Sequence, residues 1–499
     1  MNDTIFALSS GHGRAGIAVV RVSGKSLKTL FTKICQRHKA QGIRQIKPRY
    51  AYLVDLVAPE QNEGGLIAQS KSEIRNQKSE IIDRAVAIYF ATPNSFTGED
   101  VIEFHVHGSP AVIEKLFETL RAHGARMAQP GEFSRRAFDH GKMDLAEVDG
   151  LVSLLDARTE RQRAAALKSM TGADSSVFEN WRLQMIEVAA YASAMLDFPS
   201  DELPANIGDK LLEQTKSLSA AISAALGRAR ASRAITHGFN IVLVGEVNAG
   251  KSSLFNRLLG QSRAIVSDIP GTTRDVVSAE LDIDGYLVRL SDTAGLRDAT
   301  DEIEKIGIEK TNQEIEDADL VIRVLSRESQ VVSSGKSNEI VVINKCDLLS
   351  DDLRSRLRGN DKTTNHESRL FISAKTGAGV PELLDLIKKK LHDALDSAES
   401  DIAVNERARG HLERAVAELE SAIGDKRQET GDRKHKIQIR NQKSEIRNIS
   451  NSCLLSPLSC LDMFAEHVRI AADEIGQILG LIGTDEIRDA VFGQLCLGK

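Results

Sequence analysis

The stretch Asn240 to Ser253, NIVLVGEVNAGKSS, joins a β-branched apolar run to a glycine-framed loop and then to the start of an amphipathic pattern. Gly245, four further residues, Gly250, Lys251 and Ser252 fit the spacing G-x-x-x-x-G-K-[ST]. Glycines at these places let backbone N–H groups curl round an anion, and the following helix aims its positive dipole end at the same point. The pattern therefore predicts strand, phosphate loop and helix in succession. Lys251 is placed to reach the β- and γ-phosphates, and the Ser252 hydroxyl to ligate Mg²⁺.

Three later motifs narrow the ligand. DTAG, which is Asp292, Thr293, Ala294 and Gly295, ends the apolar run LVRLS and is placed to hold Mg²⁺ and sense a γ-phosphate. NKCD supplies Asn344, Lys345 and Asp347 after the run EIVVI, and SAK supplies Ser373, Ala374 and Lys375 after RLFI. An Asp at 347 can accept both hydrogen bonds from the N1–H and exocyclic amine of guanine, which adenine cannot offer. The four motifs in this order imply a guanine-nucleotide site. Its first part is the run Asn248, Ala249, Gly250, Lys251, Ser252 and Ser253.

A chain of 499 residues implies roughly three domains. With a net charge of -6, any nucleic-acid contact must be a local basic patch, and 4% aromatics argue against stacking platforms for single strands. The five cysteines (Cys35, Cys346, Cys453, Cys460, Cys496) form no C-x-x-C pair, which suits a reducing cytoplasm with neither disulfide framework nor zinc site. The opening MNDTIFALSS has the character of neither a signal peptide nor a membrane span.

Residues 1–142 read mostly as short strands: GIAVVRVSG, RYAYLVDLV and RAVAIYFA. PNSFTGED is a loop feeding the strand VIEFHVHG, on which Glu103, His105 and His107 share a face by period two. Two histidines without a third cluster are expected to be ordinary sheet residues rather than metal ligands. From about Asp144 the period becomes helical. Leu145, Val148, Leu151, Val152 and Leu155 mark one stripe, and Met185, Ala189, Ala192 and Leu196 another. Helical patterning stops at the nucleotide motifs and returns near Asn405, with Leu412, Val416, Leu419 and Ile423 in line. The economical organisation is one helical domain, 143–237 and 397–499, with a nucleotide module, 238–396, inserted in it. The octapeptide IRNQKSEI occurs at Ile74–Ile81 and again at Ile439–Ile446, in polar stretches read as surface insertions without a catalytic role.

The stretches PNSFTGED, PGEFSRRAF and KMDLAEVDGLVSLLDA, taken with the nucleotide motifs, resemble the MnmE (TrmE) family of tRNA-modifying GTPases, one of the TrmE-Era-EngA-YihA-Septin-like groups. The resemblance implies a multidomain α/β and α fold. Its parts are an N-terminal α+β folate-binding and dimerising domain, a discontinuous helical domain, and an inserted Ras-like P-loop GTPase domain with a mainly parallel sheet. It implies a homodimer that binds 5-formyltetrahydrofolate or a related tetrahydrofolate through Arg21, Glu103, Lys142 and Lys499, with Cys496 a possible thiol in the Cys-Leu-Gly-Lys tail. On the residues alone, Arg21 and Lys142 read as solvated surface charges and Cys496 as a small apolar residue.

No glutamine follows Gly295 to orient water; Leu296 and Arg297 stand there, and no arginine finger is evident. A finger contributes about 10³ to 10⁵ in rate, so another charge must serve. The resemblance implies K⁺, held by Asn248, Ser267, Ile269 and Thr272 in a loop that also contains Asp268, Pro270 and Gly271, with Thr273 on Mg²⁺ and Glu304 orienting water. Glu246 and Val247 depart from the usual phosphate-loop filling, but their side chains can point outward because the backbone amides do the binding. The implied activity is K⁺-stimulated GTP hydrolysis. With a flavin-dependent MnmG (GidA)-like partner in a heterotetramer, it would serve modification of the wobble uridine of certain tRNAs. Two other readings stand beside it: a ribosome-assembly switch binding rRNA, which ordinarily carries an RNA-binding domain after the GTPase, and an interaction scaffold that binds GTP without useful turnover.

Overall fold

The computed structural model describes residues 3–11, 13–25, 27–37, 46–59, 80–197, 206–246, 248–261, 263–265, 277–292, 315–326, 338–348, 369–395, 402–424, 461–482, 492, 495 and 498. The chain falls into two compact units, Met1–Val152 with Leu479–Lys499, and Ser153–Ile478.

Period-two apolar runs build the first unit. In chain order its elements are β1 (Ile5–Leu8), β2 (Ala15–Gly24), α1 (Leu27–Ile34), β3 (Cys35–Arg37), β4 (Ala51–Val57), β5 (Ile81–Phe90), β6 (Asp100–Gly108), α2 (Pro110–Ala122), β7 (Arg126–Met127), α3 (Glu132–Asp139) and α4 (Leu145–Asp156). The sheet runs β3-β4-β5-β6-β2-β1-β7, antiparallel except for β1 with β7. Val20, Val22, Ile102, Phe104 and Val106 point to one face and bury against Leu27 and Phe31 of α1 and Leu116 and Leu120 of α2. β2, β4, β5 and β6 lie where the sequence puts them; β1, β3 and β7 and the helices α1, α2 and α3 go beyond that reading. Ile81 of the first octapeptide opens β5, and the rest of that copy except Glu80, like the whole second copy, lies outside the described residues.

A charged network underlies the first unit. Arg136 of α3, 2% exposed, donates to Glu99 Oε2 at 2.8 Å, to Glu132 Oε1 at 3.1 Å and to Asp3 Oδ1 at 3.1 Å. Arg126 brackets Glu132 with bonds of 2.6 and 2.9 Å and also reaches Asp3. Ser23 Oγ of β2 donates to Glu99 Oε2 at 2.9 Å. The polar stretches PNSFTGED and PGEFSRRAF thus fold onto each other through buried, paired charges, the condition under which such charges are tolerated.

The second unit begins with α5 (Glu160–Met170), capped by a reciprocal Thr159–Gln162 box, then α6 (Ala173–Asp197), α7 (Ile207–Gly227) and α8 (Ala229–His237). A sheet and its helices follow: β8 (Phe239–Gly245), α9 (Lys251–Gln261), β9 (Arg263–Ile265), β10 (Val277–Ile283), β11 (Tyr286–Asp292), β12 (Leu320–Leu325), β13 (Glu339–Ile343), β14 (Arg369–Phe371) and α10 (Val380–Leu395). Then come α11 (Glu406–Ile423) and α12 (Leu461–Leu479). The strand order is β14-β13-β12-β8-β11-β10-β9, parallel from β14 to β11 and antiparallel beyond. Central β8 and β13 are buried on both faces, which is why each reads as an unbroken apolar run.

The helical stripes lie one residue from the expected ones at several places. Ala415 and Ala422 of α11 are buried, while Val416 and Ile423 are half-buried. In α6, Val188 is buried where Ala189 was expected, and Leu196 is exposed. Small side chains let α11 approach α7 closely, so proximity selects alanine where hydrophobicity alone selects the larger neighbour. Among the described residues no helix is long and apolar enough to cross a membrane.

Burial alone pushes the Glu132 carboxyl up, but Arg126, the Gln129 N–H and Arg136 outweigh it, so the net shift is below the ordinary 4.5. The hydrogen bond from Arg126 likewise holds Asp3 below 3.8. The unfolded chain therefore binds more protons in acid, and stability rises with pH across that window. The contribution is complete above these ordinary values and is lost as pH falls through the lowered ones. Protection of the β2 and β6 amides, measured as exchange relative to the unfolded chain at the same pH, should fall below about pH 4, and Glu132→Gln should flatten that part of the acid profile.

Candidate nucleotide site

The parallel order places the ends of β8, β11, β13 and β14 along one edge, the edge at which open α/β sheets bind ligands. Gly245 ends β8 at φ 155°, a conformation that L side chains rarely adopt, and a Cβ there would also lie 2.1 Å from the Val324 carbonyl oxygen. Gly250, at φ 93°, is constrained both ways, because a Cβ would meet Asn344 Nδ2 at 2.2 Å. Between them Asn248 takes a left-handed φ of 64° and is exposed. Lys251, 7% exposed, donates to the Gly245 and Glu246 carbonyls at 2.9 Å each, so its ammonium is folded back over the loop.

Ser252 Oγ donates to Asp292 Oδ2 at 2.8 Å. A hydroxyl and a carboxylate oxygen so placed are a donor set that suits Mg²⁺, which takes few protein ligands beside phosphate oxygens. The Cβ-free cradle and the α9 N-terminus fit an anion.

Asn344 joins three of the four motifs. Its Nδ2 donates to the Ala249 carbonyl at 2.9 Å, and its Oδ1 accepts from Lys345 N at 2.8 Å and from Ala374 N at 3.0 Å. Lys345 adopts a left-handed φ of 63°, and the turn Cys346–Leu348 carries Asp347 exposed at the rim. Ser373 is buried, Lys375 is exposed, and Ser253 faces solvent on α9. Arg257 of α9, which sequence reasoning passed over, donates to the Ala374 carbonyl at 3.0 Å and to that of Lys375. No pattern marks it, because its partners are backbone carbonyls. Ser267, Asp268, Ile269, Pro270, Gly271, Thr272, Thr273, Thr293, Ala294, Gly295 and Glu304 lie outside the described residues.

A second cluster lies in the first unit. Arg21 and Glu103 are direct cross-strand partners, joined at 3.0 and 3.1 Å, each side chain 19% exposed. The guanidinium sits 5.0 Å from the Phe96 ring and 5.9 Å from that of Phe133. Neither aromatic was singled out in the sequence, although both lie in its distinctive stretches. Lys142 is exposed, and its side chain passes near Gly98 of the loop that carries Phe96. Gly498 lies against the end of β1, its carbonyl accepting from Ser9 Oγ at 2.9 Å. Cys496 and Lys499 are outside the described residues. His107 pairs with Asp83 at 2.8 Å, and His105 Nε2 lies 3.6 Å from Glu103. A carboxylate paired with a guanidinium and flanked by aromatic rings is a donor set compatible with a pterin carrying acidic groups.

Residues 4–142 match the family model described as GTP-binding protein TrmE N-terminus, and residues 145–496 match the MnmE helical domain. The chain belongs to the MnmE family. A tRNA modification GTPase MnmE from Parvibaculum lavamentivorans is 35% identical over 502 residues, covering 100% of both chains. The protein of that name from Wolbachia pipientis subsp. Culex pipiens is 34% identical over 100% of this chain and 99% of its own. That from Aquifex aeolicus is 32% identical over 100% of both. As an MnmE chain it is multidomain: an N-terminal α+β part, helices on both sides of the nucleotide segment, and a Ras-like P-loop fold between them.

Because Asn344 is 2% exposed, Asn344→Ala would strand a carbonyl and two amides. The expected loss is on the order of 2–4 kcal/mol from the nucleotide module, read by urea unfolding, together with a drop of at least about tenfold in GTP affinity.

Proposed function

We propose that this chain is a K⁺-stimulated GTP hydrolase acting with a flavin-dependent MnmG (GidA)-like partner. Together they would add an aminomethyl or carboxymethylaminomethyl group at C5 of the wobble uridine of certain tRNAs, with the carbon drawn from a tetrahydrofolate. The observation that carries the reading is the gathering of phosphate loop, NKCD and SAK around Asn344, with Asp292 joined to the phosphate site through Ser252, in a chain whose relatives are named tRNA modification GTPases.

In this reading the run Asn248 to Ser253 binds the phosphates, Ser252 and Thr273 hold Mg²⁺, and Asp347 reads guanine. Asn248, Ser267, Ile269 and Thr272 hold K⁺, which supplies the positive charge that an arginine finger supplies elsewhere. Lys251 leaves its two backbone carbonyls for phosphate oxygens, and Glu304 orients the attacking water. Arg21, Glu103, Lys142 and Lys499 bind 5-formyltetrahydrofolate or a related carrier, with Cys496 nearby as a thiol. The active form is a cytoplasmic homodimer within a heterotetramer, and residues 1–142, 143–237, 238–396 and 397–499 are its successive domain segments.

Hydrolysis by the purified chain should be at least about tenfold faster in K⁺ than in Na⁺ at equal ionic strength, and equal rates would remove the ion from the mechanism. Independently, wild-type chain mixed with the flavoprotein, tRNA and 5-formyltetrahydrofolate should alter wobble uridines by mass spectrometry of digested tRNA. Glu103→Gln should weaken folate binding by about tenfold or more while leaving GTP turnover unchanged; unweakened binding would place the folate elsewhere.

A further inference from the structure

The β10–β11 hairpin has two ends with different neighbours. At its open end Val277 pairs with Asp292, and Asp292 holds Ser252 beside the phosphate loop. At its turn Ile283 pairs with Tyr286 across Asp284 and Gly285, whose φ values are 56° and 82°. Seven registered pairs connect the ends, a ribbon of roughly 20 Å at about 3.3 Å per residue.

The turn is gripped by α5, a helix outside the nucleotide fold. Arg161 Nη1 donates to the Tyr286 hydroxyl at 2.6 Å, Nε donates to the Asp284 carbonyl at 3.3 Å, and the guanidinium lies 4.0 Å from the Tyr286 ring centre. The Arg161 backbone N–H donates to the Gly285 carbonyl at 3.4 Å. Just before α5, Arg158 pairs with Glu280 of β10, which Arg289 of β11 also approaches at 3.4 Å. From the other side His392 of α10 meets Asp284 Oδ2 at 2.7 Å and stands edge-on to Tyr286.

Along the same helix runs a cavity of about 410 Å³ whose lining includes Arg161 itself, with Ala164, Ala165, Lys168, Ser232 and Ile235. The helix is therefore fastened at the turn and borders unfilled space beside that fastening, into which it can shift as a body.

We propose that Arg161 is a positioning residue that couples the phosphate site to the helices: by clamping the hairpin turn it converts a change at the Asp292 end into a displacement of α5 toward the cavity. The inference rests on the reading of this chain as a GTP-switched protein. It goes further in naming the lever and the side chain that grips it.

The test uses the full-length chain, wild type and the variants Arg161→Ala, Arg161→Lys, Tyr286→Phe and the Arg161→Ala/Tyr286→Phe pair. Two quantities are measured: GTP hydrolysis, and the difference in amide exchange of residues 160–170 between GDP and a non-hydrolysable GTP analogue. In wild type that difference is expected to be clear. Arg161→Ala should reduce it by at least roughly fivefold while hydrolysis stays within about threefold of wild type. Arg161→Lys should restore little, because an ammonium cannot reach the carbonyl and hydroxyl together. Tyr286→Phe keeps the buried ring and removes only the acceptor, so it should reduce the difference partly, and the pair should lose no more than Arg161→Ala alone. An undiminished difference in Arg161→Ala, or hydrolysis falling in proportion to it, would make Arg161 a brace and overturn the proposal. Wild type that binds GTP without altering α5 exchange overturns this inference alone, whereas wild type that binds no GTP overturns the function reading as well.

Discussion

One buried amide decides whether the nucleotide site exists as a site. Four motif loops leave four strand ends; beyond them the backbone joins the NKCD loop to the end of β14, Cys346 N donating to the Ile372 carbonyl at 3.0 Å, and the phosphate loop must be tied in by side chains. Asn344 ties it in by donating to the phosphate loop at Ala249 while accepting from its own loop and from the loop of SAK. Only a carboxamide can donate one way and accept the other at the same length. Aspartate would face the Ala249 carbonyl with a second acceptor, and leucine would leave three polar backbone groups dry. The same side chain explains Gly250, whose missing Cβ is the space that Nδ2 occupies.

The first unit applies the same logic with charges. Glu99 comes from the loop before β6 and Glu132 from the start of α3, and Arg136 spans them. Ionic groups this deeply buried contribute little net stability compared with apolar packing, but removing one partner leaves the others unpaired. The network therefore fixes the course of the loop on which Phe96 and Gly98 sit, and through it the surroundings of Arg21 and Lys142. A motif that reads as hydrophilic loop is in this case the interior of the unit.

That inversion marks where sequence reading works and where it stops. Runs such as NIVLVG and EIVVI announce their strands because burial on both faces leaves an unbroken apolar signature. Phosphate-loop glycines are legible because their φ and clearance admit little else. Arg257 and Arg161 carry no such signature, since their partners are backbone carbonyls and a tyrosine far along the chain, and tertiary placement alone creates those contacts. The short alanine stripe of α11 escapes for a related reason: close helix approach rewards the absence of side chain, which a hydrophobic count cannot register.

The insertion of the nucleotide module has a mechanical consequence. The chain enters it from α8 and returns through residues 402–404, and these two passages are fastened side by side: Val404 N donates to Ser232 Oγ of α8, and Ala403 N to Asp174 Oδ2 of α6, at 3.3 Å each. Two adjacent attachments define an axis, about which an inserted body could still swing. Arg161 and His392 at the hairpin turn supply a third fastening, off that axis and on the strand pair that ends at Asp292. Gln162 then binds the third to the first, since its Nε2 donates to the Thr236 carbonyl at the last turn of α8. The third fastening opposes rotation about that axis. A change at the phosphate end can then be taken up at α5, which borders a cavity into which it has room to move.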